Sequence, residues 1–260
     1  MSLYLPTHSQ GFRNVGLAVT QLRRGLAVAV RDEADNLAIG IAAEELSEPS
    51  LQWVFKFADE QKGLKVRLAL TAQRARVLNI ASRSVVVTIE IAPHIRAYDL
   101  ATLADPSADL DHPMRGPFRA DYEHPTGAVV GIISLCKLAR LLPSALVIFG
   151  AGHRTQALSK WGQSNGLLGC TADEIDAFPI NEARRLKIVT SAQVPLDGAE
   201  ATRIVAFRPA DGGVEHLAII INDPPRSIPV LTRLHSECFT GDLLSSLKCD
   251  CGDQLRGAIS

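Results

Sequence analysis

Three of the chain's five cysteines crowd into the stretch 233–254, RLHSECFTGDLLSSLKCDCGDQ, with the spacing Cys-x10-Cys-x-Cys at Cys238, Cys249 and Cys251. No other local feature limits the fold more. Thiolates are the softest protein ligands, so three of them this close together favour a bound zinc ion. If the Cys-x-Cys pair is extended, period-2 alternation puts Cys249 and Cys251 on one face and turns Asp250 away, and a loop carrying Cys238 closes a third side. Three ligands leave tetrahedral zinc one open position, the mark of a metal that activates water. Two other readings stay open at this level. His235, three residues before Cys238, has the spacing of a fourth ligand that would close the site as a structural knuckle, and the cysteines are also compatible with simple burial. The density of polar neighbours, Arg233, His235, Ser236, Glu237, Thr240, Asp242 and Lys248, exceeds what a structural knuckle needs.

The chain has 260 residues, 47% of them apolar, which is enough for one large or two ordinary cores. Its formal net charge is −1 with a pI near 6.7. Nothing in that balance attracts nucleic acid or an anionic membrane in bulk, so an anionic ligand must be held by local charges. Aromatic residues, at 5%, are too sparse for a stacking surface, which further weakens a nucleic-acid reading. The sequence shows neither a membrane-length apolar run nor the apolar core of a signal peptide. The expectation is a globular cytoplasmic protein with neither nucleic acid nor membrane as partner. An odd cysteine count fits a reducing compartment, with Cys136 and Cys170 as packing residues.

Along the chain, residues 1–14 lack periodicity and read as a flexible N-terminus. Residues 15–150 alternate helical and strand patterns, as in a mixed α/β domain. Within it, a helix at 15–24 precedes a strand at 26–30, and an acidic turn of Asp32, Glu33 and Asp35 precedes an apolar run at 37–43. Ser47 and Thr71 each cap a helix, the first ending at Gly63, with strands at 66–70 and 84–92. The four prolines and scattered charges of 103–125 spell a long loop, of a length that often serves as a lid. Thr126 opens an apolar helix reaching Leu142, followed by a strand at 145–149 and a Gly-Ala-Gly turn. Residues 151–187 read as a connector carrying one helix with a capping box, Thr171 to Glu174, and the domain boundary is placed near residue 185. From 188 to 260 the texture is β-rich. Strands at 188–194, 201–208 and 214–221 include a hairpin around residues 211–213, a fourth strand at 228–234 delivers the cysteines, and a helix starts at Asp253.

In that context LTRLHSECFTGDLLSSLKCDCGDQL closely resembles the signature of GTP cyclohydrolase II, a zinc enzyme of riboflavin biosynthesis, and the resemblance reaches back to about Thr190. It implies that Cys238, Cys249 and Cys251 are zinc ligands and that Arg233, Leu234, His235, Ser236, Glu237 and Gln254 bind GTP. It implies too that magnesium assists at the triphosphate and that the protein is a homodimer. Lys248 departs from the arginine usual before Cys-Asp-Cys; it keeps the charge but not the paired donors. The segments RRGLAVAVRDEADNLAIGIAAEE, LALTAQRARVLNI and HPTGAVVGIISLCKLARLLPSALVI more loosely resemble 3,4-dihydroxy-2-butanone-4-phosphate synthase, often fused ahead of GTP cyclohydrolase II. Here that family's acidic run is shortened to Asp32, Glu33 and Asp35, and its Gly-His-Thr-Glu keeps only His124 and Thr126. Synthase activity is therefore expected to be absent and the acidic cluster to be a solvated turn.

The combined expectation is an α+β chain in which a degenerate synthase-like domain precedes the β-rich, zinc-binding start of a GTP cyclohydrolase II domain. The implied reaction opens the imidazole ring of GTP by hydrolysis and releases formate and pyrophosphate. The family's Glu-Gly-Arg loop, its acid/base aspartate and its nucleophilic arginine fall after Ser260, so little or no turnover is expected unless the chain is a fragment of a longer protein. The alternative is a zinc-stabilised pseudoenzyme that binds nucleotide or a partner.

Overall fold

A computed structural model describes residues 10–61, 64–113, 116–150, 152–209, 213–225 and 227–260, the side chain of His153 excepted. The expectations for residues 1–9, Gly63 and the turn residues 211 and 212 lie outside the described residues. The chain divides into two compact units, Met1–Pro179 and Ile180–Ser260.

The first unit runs α1 (Gln10–Leu22), β1 (Val28–Arg31), β2 (Leu37–Ala42), α2 (Glu48–Glu60), β3 (Arg67–Thr71), α3 (Ala72–Val77), β4 (Val86–Glu90) and α4 (Ala97–Ala104). A short 3-10 turn at Pro106–Asp109 follows, then α5 (Gly127–Leu138), β5 (Ser144–Gly150), α6 (His153–Ser164), β6 (Leu168–Thr171) and α7 (Ala172–Arg184), whose last residues belong to the second unit. Six strands form one sheet in the order β4-β3-β5-β2-β1-β6. All pairings are antiparallel except β1 with β6. Strand β5, buried along its whole length, shows how the sheet feeds two cores. Its Leu146 and Ile148 face a cluster built with Leu51, Val54 and Phe57 of α2 and Leu100 of α4. Ala145, Val147 and Phe149 face the opposite cluster, with Val15 and Leu22 of α1 and Ile132 and Leu135 of α5. Side-chain alternation on one strand thus serves both layers of helices.

The caps at Ser47 and Thr71 form as expected, each hydroxyl accepting from a backbone N–H three residues on. Several other expectations are corrected. Helix α1 begins at Gln10, not Val15, and α4 lies in a stretch that gave no sequence signal. Most of the expected connector is structure. Helix α6 packs Trp161 against Trp53 and Phe57, and β6 pairs with β1 as the sixth strand. A polar helix with few apolar anchors and a four-residue strand after Gly166 carry too little periodicity to be seen. The capping box inside that stretch does form, between Thr171 and Glu174. Gly152, at φ +58°, makes the turn from β5 into α6.

The acidic turn is more than a solvated loop. Asp32 is half-buried, accepts from the backbone and side chain of Asn36, and caps α5 through the Ala128 N–H at 3.1 Å. Glu33 and Asp35 are exposed, with Asp35 paired to Arg31.

Two buried arginines tie down the long loop after α4. Arg74 holds Asp109 with both guanidinium ends, at 2.6 and 2.7 Å, and donates to the Leu103 carbonyl. Arg67, 1% exposed, lies 4.4 Å over the Phe149 ring and pairs with Asp121 and Glu123. Burial pushes the Asp121 carboxyl up, but the hydrogen bond and charge of Arg67 outweigh it and hold the group below the usual carboxylate range.

The second unit's sheet is antiparallel in the order β7-β8-β9, from β7 (Lys187–Gln193), β8 (Thr202–Arg208) and β9 (His216–Ile221). The expected fourth strand at 228–234 does not form. Pro224, Pro225 and Pro229 remove backbone donors around it, and Leu231 and Leu234 are exposed. A π-type turn at Phe239–Leu243 and helix α8 (Cys251–Ile259) complete the unit. Among the described residues no helix is long and apolar enough to cross a membrane.

Replacing Arg67 with alanine strands a buried carboxylate and is expected to lower the unfolding free energy by about 3–5 kcal/mol, measured in urea. Because the folded Asp121 value is depressed, its stabilising contribution is present above the unfolded value of about 3.9 and lost as pH falls through the folded value. The R67A penalty is therefore expected to shrink on acidification.

Candidate metal centre

Cys238 sits at the entry to the π-type turn, Cys249 in the loop before α8, and Cys251 at the first position of α8. The Cys-x-Cys pair is not extended as its alternation suggested. Asp250, at φ −99° and ψ 10°, bends the backbone into α8, and this bend brings the two sulfurs together. The three Sγ atoms all lie within 4.8 Å of one another, with Cys238 and Cys249 3.9 Å apart. A disulfide needs about 2.05 Å. A tetrahedron with zinc–sulfur bonds of about 2.3 Å has edges of about 3.8 Å, so the observed gap fits two ligands of one zinc.

Two glycines make this convergence possible, and neither was singled out in the sequence. A Cβ on Gly241 would stand 2.8 Å from Cys251 Cβ and 2.9 Å from Cys249 Sγ; one on Gly252 would stand 2.3 Å from the Gly241 carbonyl oxygen. Their positions, Gly241 three residues after Cys238 and Gly252 directly after Cys251, were the available signal. The turn is tightened by the Asp242 N–H donating to the Cys238 carbonyl at 2.7 Å.

The electrostatics of the sulfurs ask for a cation. The Gly241 N–H, the Thr240 hydroxyl and the neighbouring thiols bring Cys238 down to about 7. Cys251, hydrogen-bonded to Cys238 and then Cys249, is pushed up to about 12. Three thiolates at this spacing repel, and without a positive ion one keeps its proton. A divalent metal removes that obstacle, so the donor set fits zinc in charge and geometry. Cys136 and Cys170 behave differently: both are buried, and desolvation pushes each up to about 12. They are packing residues, as expected.

His235 does not join the sulfurs. Its Nε2 lies 2.9 Å from Asp242 Oδ2, and the cluster of mutually close metal-ligating atoms comprises the three cysteines. Arg233 and Gln254, distant in sequence, meet: Arg233 donates to Gln254 Oε1 at 2.9 Å, and Gln254 Nε2 donates to Asp250 Oδ2 at 2.7 Å. Leu234, Ser236 and Glu237 are exposed between them, and Lys248 is also exposed. The surface around the sulfurs is therefore open, and it mixes these polar groups with the exposed apolar side chains of Leu234, Phe239, Leu243, Leu244 and Leu247. Two cavities of the molecule lie elsewhere: one borders Arg31, Leu158 and Glu174, the other Arg203, Asn222 and Asp223.

Gly241→Ala is expected to disperse the sulfurs and cut zinc retention at least tenfold, measured as metal per chain after dialysis against a chelator. In the metal-free chain, alkylation at neutral pH is expected to label Cys238 well before Cys251, with Cys238 labelling rising through about pH 7 in mass-spectrometric mapping.

The family model described as GTP cyclohydrolase II matches residues 187–260. GTP cyclohydrolase-2 of Azospirillum brasilense is 39% identical over 257 residues, which cover 98% of this chain and 66% of that protein. Riboflavin biosynthesis protein RibBA of Phocaeicola vulgatus is 27% identical over 275 residues, covering 93% of this chain and 67% of that protein. The chain thus spans about two thirds of the length of these curated relatives. RibBX from A. baumannii, solved as a two domain 3,4-dihydroxy-2-butanone 4-phosphate synthase, aligns over 93% of this chain and 79% of its own at 18% identity and a TM-score of 0.47. Residues 187–260, which carry the three convergent thiols, thus belong to the GTP cyclohydrolase II family.

Proposed function

We propose that the chain carries the metal and nucleotide-gripping part of a GTP cyclohydrolase II site, acting in the hydrolytic opening of the guanine imidazole ring with release of formate and pyrophosphate. The observation that carries this reading is the convergence of Cys238, Cys249 and Cys251 beside the Arg233–Gln254 contact, on a segment that matches the family. The three thiolates hold zinc, and the chemistry zinc supplies when bound is activation of water for hydrolysis.

The remaining work falls to the chain's own groups. Arg233 offers paired N–H donors suited to phosphate oxygens, and its exposure leaves it accessible to a triphosphate. Gln254, oriented by Asp250 through its amide nitrogen, turns its carbonyl oxygen to Arg233 and so fixes the guanidinium plane. Glu237, adjacent to the ligand Cys238, supplies an exposed carboxylate next to the metal position. Magnesium on the triphosphate offsets the charge that a single arginine leaves unbalanced. The second unit thus provides grip and metal, and a homodimer is the assembly that the family resemblance implies.

The test is to incubate the zinc-loaded chain with GTP and magnesium and to measure formate, pyrophosphate and GTP affinity. Formate release, abolished in Cys249→Ser, supports the hydrolase reading. GTP binding without formate would assign a nucleotide-binding role in place of turnover. Absence of binding would overturn both. Arg233→Lys, which keeps charge but loses the paired donors, is expected to weaken GTP binding by about tenfold, measured by calorimetry.

A further inference from the structure

Asp242 touches both halves of the centre. Its Oδ2 accepts from the Cys238 backbone N–H at 2.8 Å and lies 2.9 Å from His235 Nε2. Its side chain is 14% exposed and His235 is 20% exposed, so both contacts are largely shielded from water. Its other oxygen, Oδ1, is buried with no hydrogen-bond partner, so the side chain's recorded hydrogen bonding converges on the single oxygen shared by the two donors. One of those donors belongs to the residue that contributes the Cys238 sulfur; the other belongs to the segment 233–237, which leads into it.

We propose that Asp242 is a positioning residue that fixes the Cys238 peptide for the metal and the His235 ring for the ligand through one shared oxygen. A carboxylate only accepts hydrogen bonds, so its contact with Nε2 places a proton on that nitrogen. In the neutral ring this leaves Nδ1 with its lone pair, and His235 meets a ligand as an acceptor at Nδ1. A histidine tautomer set by the hydrogen bond at its other nitrogen is the general device. Here the carboxylate that sets it also anchors a metal-ligand turn, so a shift at the metal moves the ring with it. The ligand side of this role rests on the reading of residues 233–237 as substrate-binding; the metal side does not.

The test uses the zinc-loaded 260-residue chain and three readouts. In competition with a chromophoric chelator, Asp242→Ala is expected to weaken zinc binding by about 10- to 100-fold. Asp242→Asn, which keeps an oxygen able to accept both donors, is expected to lose clearly less, and His235→Ala less than Asp242→Ala. Long-range proton–nitrogen NMR on the unaltered chain is expected to show the Nε2-protonated tautomer of His235, and a tautomer mixture in Asp242→Ala. Zinc affinity in Asp242→Ala within twofold of the unaltered chain, or an Nδ1-protonated His235 in the unaltered chain, would overturn the assignment. Should Asp242→Ala fail to fold, judged by far-UV circular dichroism, the Asn variant and the tautomer of the unaltered chain still decide it. The third readout, GTP affinity, separates the two claims. Loss of GTP binding in the unaltered chain sinks the functional reading and leaves the zinc and NMR results to judge Asp242 alone.

Discussion

Mutual repulsion among three sulfur atoms is the constraint on which the second unit depends. Three thiols sit within 4.8 Å of one another, with Cys238 drawn down toward neutrality and Cys251 pushed up so that it keeps its proton. A retained proton or a bound cation relieves their repulsion. The surrounding backbone is shaped to accept this crowding: Gly241 and Gly252 remove the side-chain atoms that would occupy the same space, and the bend at Asp250 turns Cys249 and Cys251 toward a common point. The segment lacks regular strand pairing, and the prolines at 224, 225 and 229 remove backbone donors that such a ladder would need.

The first unit solves a different problem with the same economy of charge. Its long loop has few apolar residues to hold it, and two arginines drawn into the interior do so instead, each answered by carboxylates from the loop. The Arg67 guanidinium also covers the Phe149 ring, so the ion pair rests on the apolar layer beneath it. Asp32, in what reads by resemblance as a worn catalytic run, is engaged in capping α5. A group committed to a helix cap and to Asn36 is doing structural work.

What the sequence made legible follows the strength of the local signal. Strands β1, β3 to β5 and β7 to β9 were visible because alternation and apolar runs leave a period, with β2 legible only as an apolar run, and the Ser47 and Thr71 caps because hydroxyl side chains there have a specific use. Helix α6 and strand β6 were not, because one is polar with isolated anchors at Leu158 and Trp161 and the other is four residues long. The supposed strand at 228–234 was misread from its apolar residues alone, against the prolines. At the site, cysteine spacing revealed which three sulfurs converge without revealing the fold that gathers them. The extended reading of Cys-x-Cys brought the two sulfurs together by the wrong geometry. The roles of Gly241, Gly252 and Asp242 stayed hidden because they act through space left empty and through contacts that spacing does not encode.

The parallel pairing of β6 with β1 reaches beyond the fold itself. It arrives only after the chain has crossed α6, so β1 stays an open edge until residue 168 is in place. A shortened form ending near residue 150 would present the β1 edge, with Val28 and Val30 beside it, to any other extended chain. During synthesis the same edge is exposed for as long as those last strand residues remain within the ribosome. The smallest piece of this protein that keeps β1 paired on both sides therefore extends at least through β6.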